Sequence, residues 1–189
     1  CTVDLQAFYF DIRKDALYCD PLDSTRRRAC RTVMNEIFLR LTTWLAPIMS
    51  FTMEEVWQAR FPSEKGSVHL ELFRDCPDEW ANVTLAAQVD AVRAFRVQAQ
   101  EAIEPSRKEG LIRSSLEASV TAPSTAALVT SLSALNISRQ EVYADASNPM
   151  DTLADYLIIS ECTLSETAEG FAVEDLKGKP SFKKCERSW

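Results

Sequence analysis

The chain has 189 residues, enough for one ordinary domain and a small companion, and it is 46% hydrophobic and 26% charged with only four glycines. That is the balance of a soluble globular protein with a sizeable core. A formal net charge of −7 excludes wholesale wrapping of nucleic acid but leaves room for a local basic site, because an electrostatic footprint depends on clustering. Six cysteines, at positions 1, 19, 30, 76, 162 and 185, never fall as C-x-x-C. They read as reduced thiols of a cytosolic protein, and zinc is not expected. Arg40 and Pro47 interrupt the longest apolar candidate, so no run reaches the roughly 18 residues of a membrane span. The first residue is Cys1 and the last stretch is KKCERSW, which suggests a piece of a longer polypeptide.

From Val3 to Cys19, Leu5, Phe8, Ile12, Ala16 and Cys19 recur at three- and four-residue steps, which predicts one amphipathic helix. Asp20-Pro21 ends it, since the residue before proline is driven out of the helical region. Asp23 or Ser24 then caps a second helix running to Pro47. Cys30, Val33, Ile37, Leu41, Trp44 and Ile48 form its apolar face, widened by Met34, Phe38 and Leu45, which predicts a central helix covered on several sides. Its first turns hold Arg26, Arg27, Arg28 and Arg31. The macrodipole there favours anions, and an exposed cation costs roughly 0.3–1 kcal/mol, so something negative is expected beside them.

Thr52-Met53-Glu54-Glu55 matches a capping box that opens a short helix ending at Phe61-Pro62. Val68, Leu70 and Leu72 alternate with His69, Glu71 and Phe73, the pattern of an extended segment. Asn82 to Glu109 is the longest helical run, with Leu85, Val89, Val92, Phe95, Ala99 and Ile103 on one face and Pro105 placed to kink or end it. After Gly110 the pattern changes. Leu116–Thr121 reads as a strand, Pro123–Leu135 as a helix capped by Ser124, and Gln140–Ala144 and Tyr156–Leu164 as strands, with an edge at Phe171–Val173. The expected architecture is mainly α, a helical bundle over residues 1–110, followed by a small α/β subdomain over 111–175 and a basic tail over 176–189.

The four arginines admit two readings. They could pair with Asp20, Asp23 or acids of the first helix, which contributes only about 0–1 kcal/mol when exposed. They could instead contact phosphate, whose oxygens suit guanidinium forks at a helix N-terminus. His69 is the sole histidine and has no acidic or thiol partner at a recognisable spacing, which argues for a structural role. Trp44, Trp57 and Phe95 read as core, while Trp80 and Trp189 are less constrained. No glycine-rich phosphate loop and no nucleophile elbow occurs.

Phe8-Tyr9-Phe10-Asp11-Ile12-Arg13-Lys14-Asp15-Ala16-Leu17-Tyr18, then Asp23-Ser24-Thr25-Arg26-Arg27, then Trp44-Leu45-Ala46-Pro47-Ile48-Met49-Ser50-Phe51-Thr52 resemble the anticodon-binding region of bacterial-type isoleucine–tRNA ligases. Glu54-Glu55-Val56-Trp57, Ser67-Val68-His69-Leu70 and Ser114-Ser115-Leu116-Glu117-Ala118 extend the likeness, and Cys185-Glu186-Arg187-Ser188-Trp189 is similar to the start of a C-terminal knuckle. Many relatives carry a cysteine where this chain has Ser188, so a family zinc site does not carry over. The resemblance implies a tRNA-recognition module of a class I ligase that uses ATP and Mg in its full-length form. It implies no cofactor and no catalytic residue in this segment, because the nucleotide-binding and signature motifs and the editing domain are missing.

The implied partners are isoleucine-specific tRNA and the rest of the module's own polypeptide, in a cytoplasmic monomer away from membranes. Arg26, Arg27, Arg28 and Arg31 are the leading candidates for the RNA backbone. Arg13 and Lys14 come next, and Arg187 with Trp189 after them. The rival readings are the equivalent module of the valine enzyme and a helical protein-interaction domain whose arginines meet an acidic partner. A free-standing enzyme is the weakest alternative.

Overall fold

The structure, a computed structural model, describes residues 2–139, 151–177 and 179. The fold is mainly helical with a small α/β part, as the sequence indicates. The chain forms two compact units, one of Cys1–Arg27 with Asn82–Trp189 and the other of Arg28–Ala81. Residues on both sides of Gly110 share one hydrophobic core in the first unit, Val92, Phe95 and Ile103 packing with Val120, Leu132 and Leu157.

In that first unit Thr2–Phe10 is wound as a π-helix, and the α-helix proper, α1, spans only Lys14–Tyr18. The single amphipathic helix expected over Val3–Cys19 is therefore broken at Arg13, whose backbone sits at φ −99°, ψ 0°. Three consecutive aromatic residues, Phe8, Tyr9 and Phe10, close the π-helical stretch just before that break. Of the expected face, Ile12 and Ala16 are buried while Cys19 is exposed.

α2 (Thr25–Leu45) begins in this unit, with Ser24 as the effective cap: its Oγ accepts from the Arg27 amide at 3.4 Å. α3 (Ser50–Arg60) belongs to the second unit and is described below. α4 (Val83–Lys108) starts where Asn82 Oδ1 accepts from the Leu85 amide at 2.9 Å. It runs on past Pro105, because a proline removes only its own N–H bond and the next residues still find carbonyls. The actual stop is Gly110 at φ +75°. The Leu111 amide bonds Ser106 O and the Gly110 amide bonds Arg107 O, the two bonds that close a helix end through a left-handed residue.

β1 (Ala118–Pro123) is the central strand of the sheet, which explains why Ala118, Val120 and Ala122 are all fully buried. It pairs in parallel with β2 (Glu161–Ser165), Val120 opposite Cys162, and antiparallel with β3 (Ala172–Asp175), Val120 opposite Val173. Between β1 and β2 lie α5 (Ala126–Ala134), capped by Thr125 rather than Ser124, and α6 (Leu153–Leu157). The strand expected from Tyr156 thus starts five residues late. Thr152 and Asp155 form a reciprocal capping box that initiates a helix taking up Tyr156 and Leu157, and Ile158 in the left-handed region ends it. The strand expected at Gln140–Ala144 lies outside the described residues.

The second unit has its own small core of Leu39, Ala46, Trp57 and Val68, flanked by Phe38, Met53 and Phe61. The Trp57 ring stacks on Phe38 with centroids 6.3 Å apart and meets Phe61 at 4.9 Å. α2 buries only part of the stripe that its spacing marks, Cys30 inside and Phe38 against the core. Val33, Trp44 and Ile48 are exposed, while Leu39, Arg40, Thr42 and Thr43 are buried. The two threonines are admitted because each hydroxyl donates to a carbonyl one turn back, Thr42 to Phe38 O and Thr43 to Leu39 O.

α3 begins at Ser50, so Thr52 and Glu55 are inside it and the expected capping box is absent. Its neighbour Glu54 instead holds the following loop. Its carboxylate accepts from Gln58 Nε2 at 2.8 Å, from Ser67 Oγ at 2.7 Å and from the Val68 amide at 2.9 Å. The anchored segment Val68–Leu70 is a 3-10 turn rather than the expected strand.

Candidate nucleic-acid interface

The anion expected beside the first-turn arginines belongs to the protein itself. Arg26 grips buried Asp20 with both prongs of its fork, Nε to Oδ2 at 2.9 Å and Nη2 to Oδ1 at 2.7 Å. Its remaining nitrogen, Nη1, donates to Asp151 and Asp155, both at 3.3 Å. Arg13 donates to both oxygens of Asp151 at 2.6 and 2.7 Å and to the Tyr156 hydroxyl at 3.0 Å. Burial opposes the charge on Arg13 and Arg26, yet the aspartate bonds outweigh it and hold both guanidiniums above their ordinary pKa.

Three carboxylates therefore meet two guanidiniums in a partly dry cluster. A phosphate approaching it would find its positive charge already spent. A cavity of about 250 Å³ within the same unit points the same way, since Asp11, Asp15 and Asp155 line it against one lysine, Lys14. Burial raises the Asp15 pKa and the neighbouring Asp155 adds to the rise. Lys14 itself is exposed and paired with Asp11 at 2.7 Å.

Arg27 is half-buried and donates through Nη1 to the Asp20 carbonyl at 2.7 Å, while its Nε meets no partner among the described residues. Arg96, on α4, donates to Tyr156 O at 2.6 Å, and its burial lowers its pKa with Asp11 offsetting part of the effect. Arg28 and Arg31 stand apart from all of these. Both are exposed, they share a helical face at a three-residue step, and neither enters an ion pair among the described residues. Arg187 and Trp189 lie outside the described residues.

Of the sequence-named cations, the structure thus draws Arg13 and Arg26 into one cluster, ties Arg27 to its edge and leaves Arg28 and Arg31 in solvent. Asp151, Asp155 and Tyr156 were not picked out by sequence reasoning. The Thr152-x-x-Asp155 start signal could have revealed Asp155, whereas Asp151 and Tyr156 meet Arg13 across about 140 residues of chain.

The aromatic expectations divide similarly. Trp57 and Phe95 are core, but Trp44 is not. Trp80 lies under the Arg40 guanidinium, 4.6 Å from its ring centroid, and Arg40 also bonds Glu36 at 2.6 Å and Asp75 O at 2.8 Å. His69 is exposed and its amide donates to Ser67 Oγ, a turn contact with no catalytic geometry. Among the described residues no group of three or more His, Cys, Asp or Glu side chains is arranged to hold a metal ion.

A family model for the anticodon-binding domain of tRNA ligases matches residues 1–122. The isoleucine–tRNA ligase of Brucella abortus is 43% identical over 196 aligned positions, covering 99% of this chain and 18% of that protein. That of Gluconobacter oxydans is 51% identical over 123 residues, covering 65% of the chain and 13% of the relative. That of Ruegeria pomeroyi is 54% identical over 117 residues, covering 62% and 12%. The chain spans less than a fifth of the length of these curated relatives. They are isoleucine enzymes, which disfavours the valine alternative. With about two thirds of its length matched, the chain belongs to the family of anticodon-binding domains of tRNA ligases.

Proposed function

We propose that this chain is the part of an isoleucine–tRNA ligase that recognises the anticodon stem-loop of isoleucine tRNA. The observation that carries this reading is the family match over residues 1–122, joined to isoleucine-enzyme relatives that extend over 99% of the chain. ATP, Mg and the joining of isoleucine to tRNA belong, on this reading, to the portion of a cytoplasmic, monomeric enzyme that this chain does not span. The domain contributes binding and orientation.

Arg28 and Arg31 are the leading phosphate contacts, being exposed and without an ion-pair partner among the described residues. Arg13 and Arg26 hold the scaffold instead, and Arg27 is tied to it through the Asp20 carbonyl. Lys14, beside Asp11, and the C-terminal Arg187 and Trp189 follow. Splayed loop bases would be read at their edges while these basic groups hold the backbone. The test is a titration with isoleucine tRNA at two salt concentrations, comparing the unaltered chain with an Arg28→Ala/Arg31→Ala variant. Each lost phosphate contact lowers the salt slope by roughly one unit, so a fall of about two is expected. Unchanged affinity and slope overturn the assignment, and equal competition by valine tRNA overturns the isoleucine specificity.

A further inference from the structure

The unit Arg28–Ala81 exposes more large apolar side chains than its small core explains. Phe51 is 93% exposed, Leu72 86%, Ile48 80% and Leu70 73%, with Phe73 and Trp44 also open. They are not scattered singly along the chain. The Ile48 and Met49 amides both bond Leu45 O, so Trp44, Ile48 and Phe51 occupy one tight corner between α2 and α3. The Gly66–Val68 segment runs antiparallel along α3, Gly66 bonded to Gln58 and Val68 to Glu54, which leads Leu70 and Leu72 back toward that corner. Together these side chains present on the order of several hundred Å² of apolar surface, more than isolated exposed residues account for.

The charge around the patch decides against RNA as its occupant. From Trp44 to Ala81 seven carboxylates accompany three cations, and three of the six named side chains, Ile48, Leu70 and Leu72, are aliphatic rather than stacking platforms. The area is of the scale of contacts between domains of one chain, about 600–1,500 Å² in all. The relatives that match this chain are more than five times its length. A surface on the same polypeptide acts at roughly millimolar effective concentration, which outcompetes a second copy at ordinary protein concentrations.

We propose that the corner formed by Trp44, Ile48, Phe51, Leu70, Leu72 and Phe73 is a packing face for another part of the same longer polypeptide, an apolar surface with a basic rim. This rests on the reading of the chain as one domain of a larger ligase. It assigns α3 and the loop after it to holding the domain in place, and the arginine-bearing start of α2 to RNA.

The test compares amide hydrogen exchange over residues 44–73 in the 189-residue chain and in the full polypeptide that contains it. Exchange should be roughly ten-fold slower in the full polypeptide. An Ile48→Ser/Phe51→Ser/Leu72→Ser variant should lose that protection while leaving the melting curve of the 189-residue chain unchanged. Equal exchange in the two forms overturns the proposal. So does protection that appears in the 189-residue chain only as its concentration rises, which would mean a second copy, or only when tRNA is added, which would mean RNA. The tRNA titration reads Arg28 and Arg31 separately, so a protein that fails to bind tRNA yet shows the protected face breaks the functional assignment and not this one.

Discussion

Arg26 and Arg28 are two residues apart on α2 and have opposite fates, and the units that they belong to differ in the same way. Around Arg26, charges are matched inside the protein: Asp20, Asp151 and Asp155 supply the anions that a basic helix start demands. Around Arg28 and Arg31 nothing in the described chain supplies them. The first unit also closes a broad core over a buried strand, whereas the second leaves Phe51, Ile48 and Leu72 open. Satisfied groups build the scaffold, and the unsatisfied ones stand open to solvent. A run of arginines in a sequence is therefore not one site, because its members divide according to which carboxylates the fold delivers to them.

The largest effect that would break this contrast is at Asp20. Removing one partner of a buried pair leaves the other charge unpaired, so Asp20→Ala is expected to cost about 3–5 kcal/mol in urea unfolding, while Arg28→Ala should stay within about 0.5 kcal/mol. Similar losses from both would erase the distinction. In the second unit, Trp57→Ala should cost about 3–5 kcal/mol and Phe51→Ala, on the same helix, almost nothing.

A smaller effect concerns pH. The bonds from Gln58, Ser67 and the Val68 amide hold the Glu54 carboxylate below its ordinary pKa. A depressed folded pKa contributes stability that is present above the unfolded pKa and is lost as pH falls through the folded one. Acid should therefore loosen the Ser67–Leu70 turn, read as faster amide exchange there, and Glu54→Gln should remove that pH dependence.

The smallest concerns Asp15, whose folded pKa is raised by burial and Asp155. Its ionised form then weakens the fold as pH rises from the unfolded pKa through the folded one. Asp15→Asn should raise the melting temperature slightly at neutral pH and not in strong acid.

Much of the helical frame was legible because its signals are local: the run from Asn82, the change of pattern at Gly110 and the spacing of Val92, Phe95, Ala99 and Ile103 all describe neighbours on one helix. The family likeness was legible in contiguous runs for the same reason. What was not legible depended on distant partners. The stripe of α2 misled because Thr42 and Thr43 satisfy their hydroxyls within the helix and go inside, leaving Trp44 and Ile48 outside. The Tyr156–Leu164 run looked like a strand because its β-branched residues are strand formers, but the capping pair Thr152 and Asp155 wound its start into α6. The division of the arginines was hidden most deeply, since Asp151 and Asp155 reach Arg26 across more than 120 residues.

The most direct test of the account is the salt dependence of isoleucine-tRNA binding, measured on the unaltered chain and on the Arg28→Ala/Arg31→Ala variant. Binding should weaken with salt, with a slope lower by about two units in the variant and an unchanged fold. Binding with the same slope in both proteins, or none at low salt by a folded chain, would contradict it.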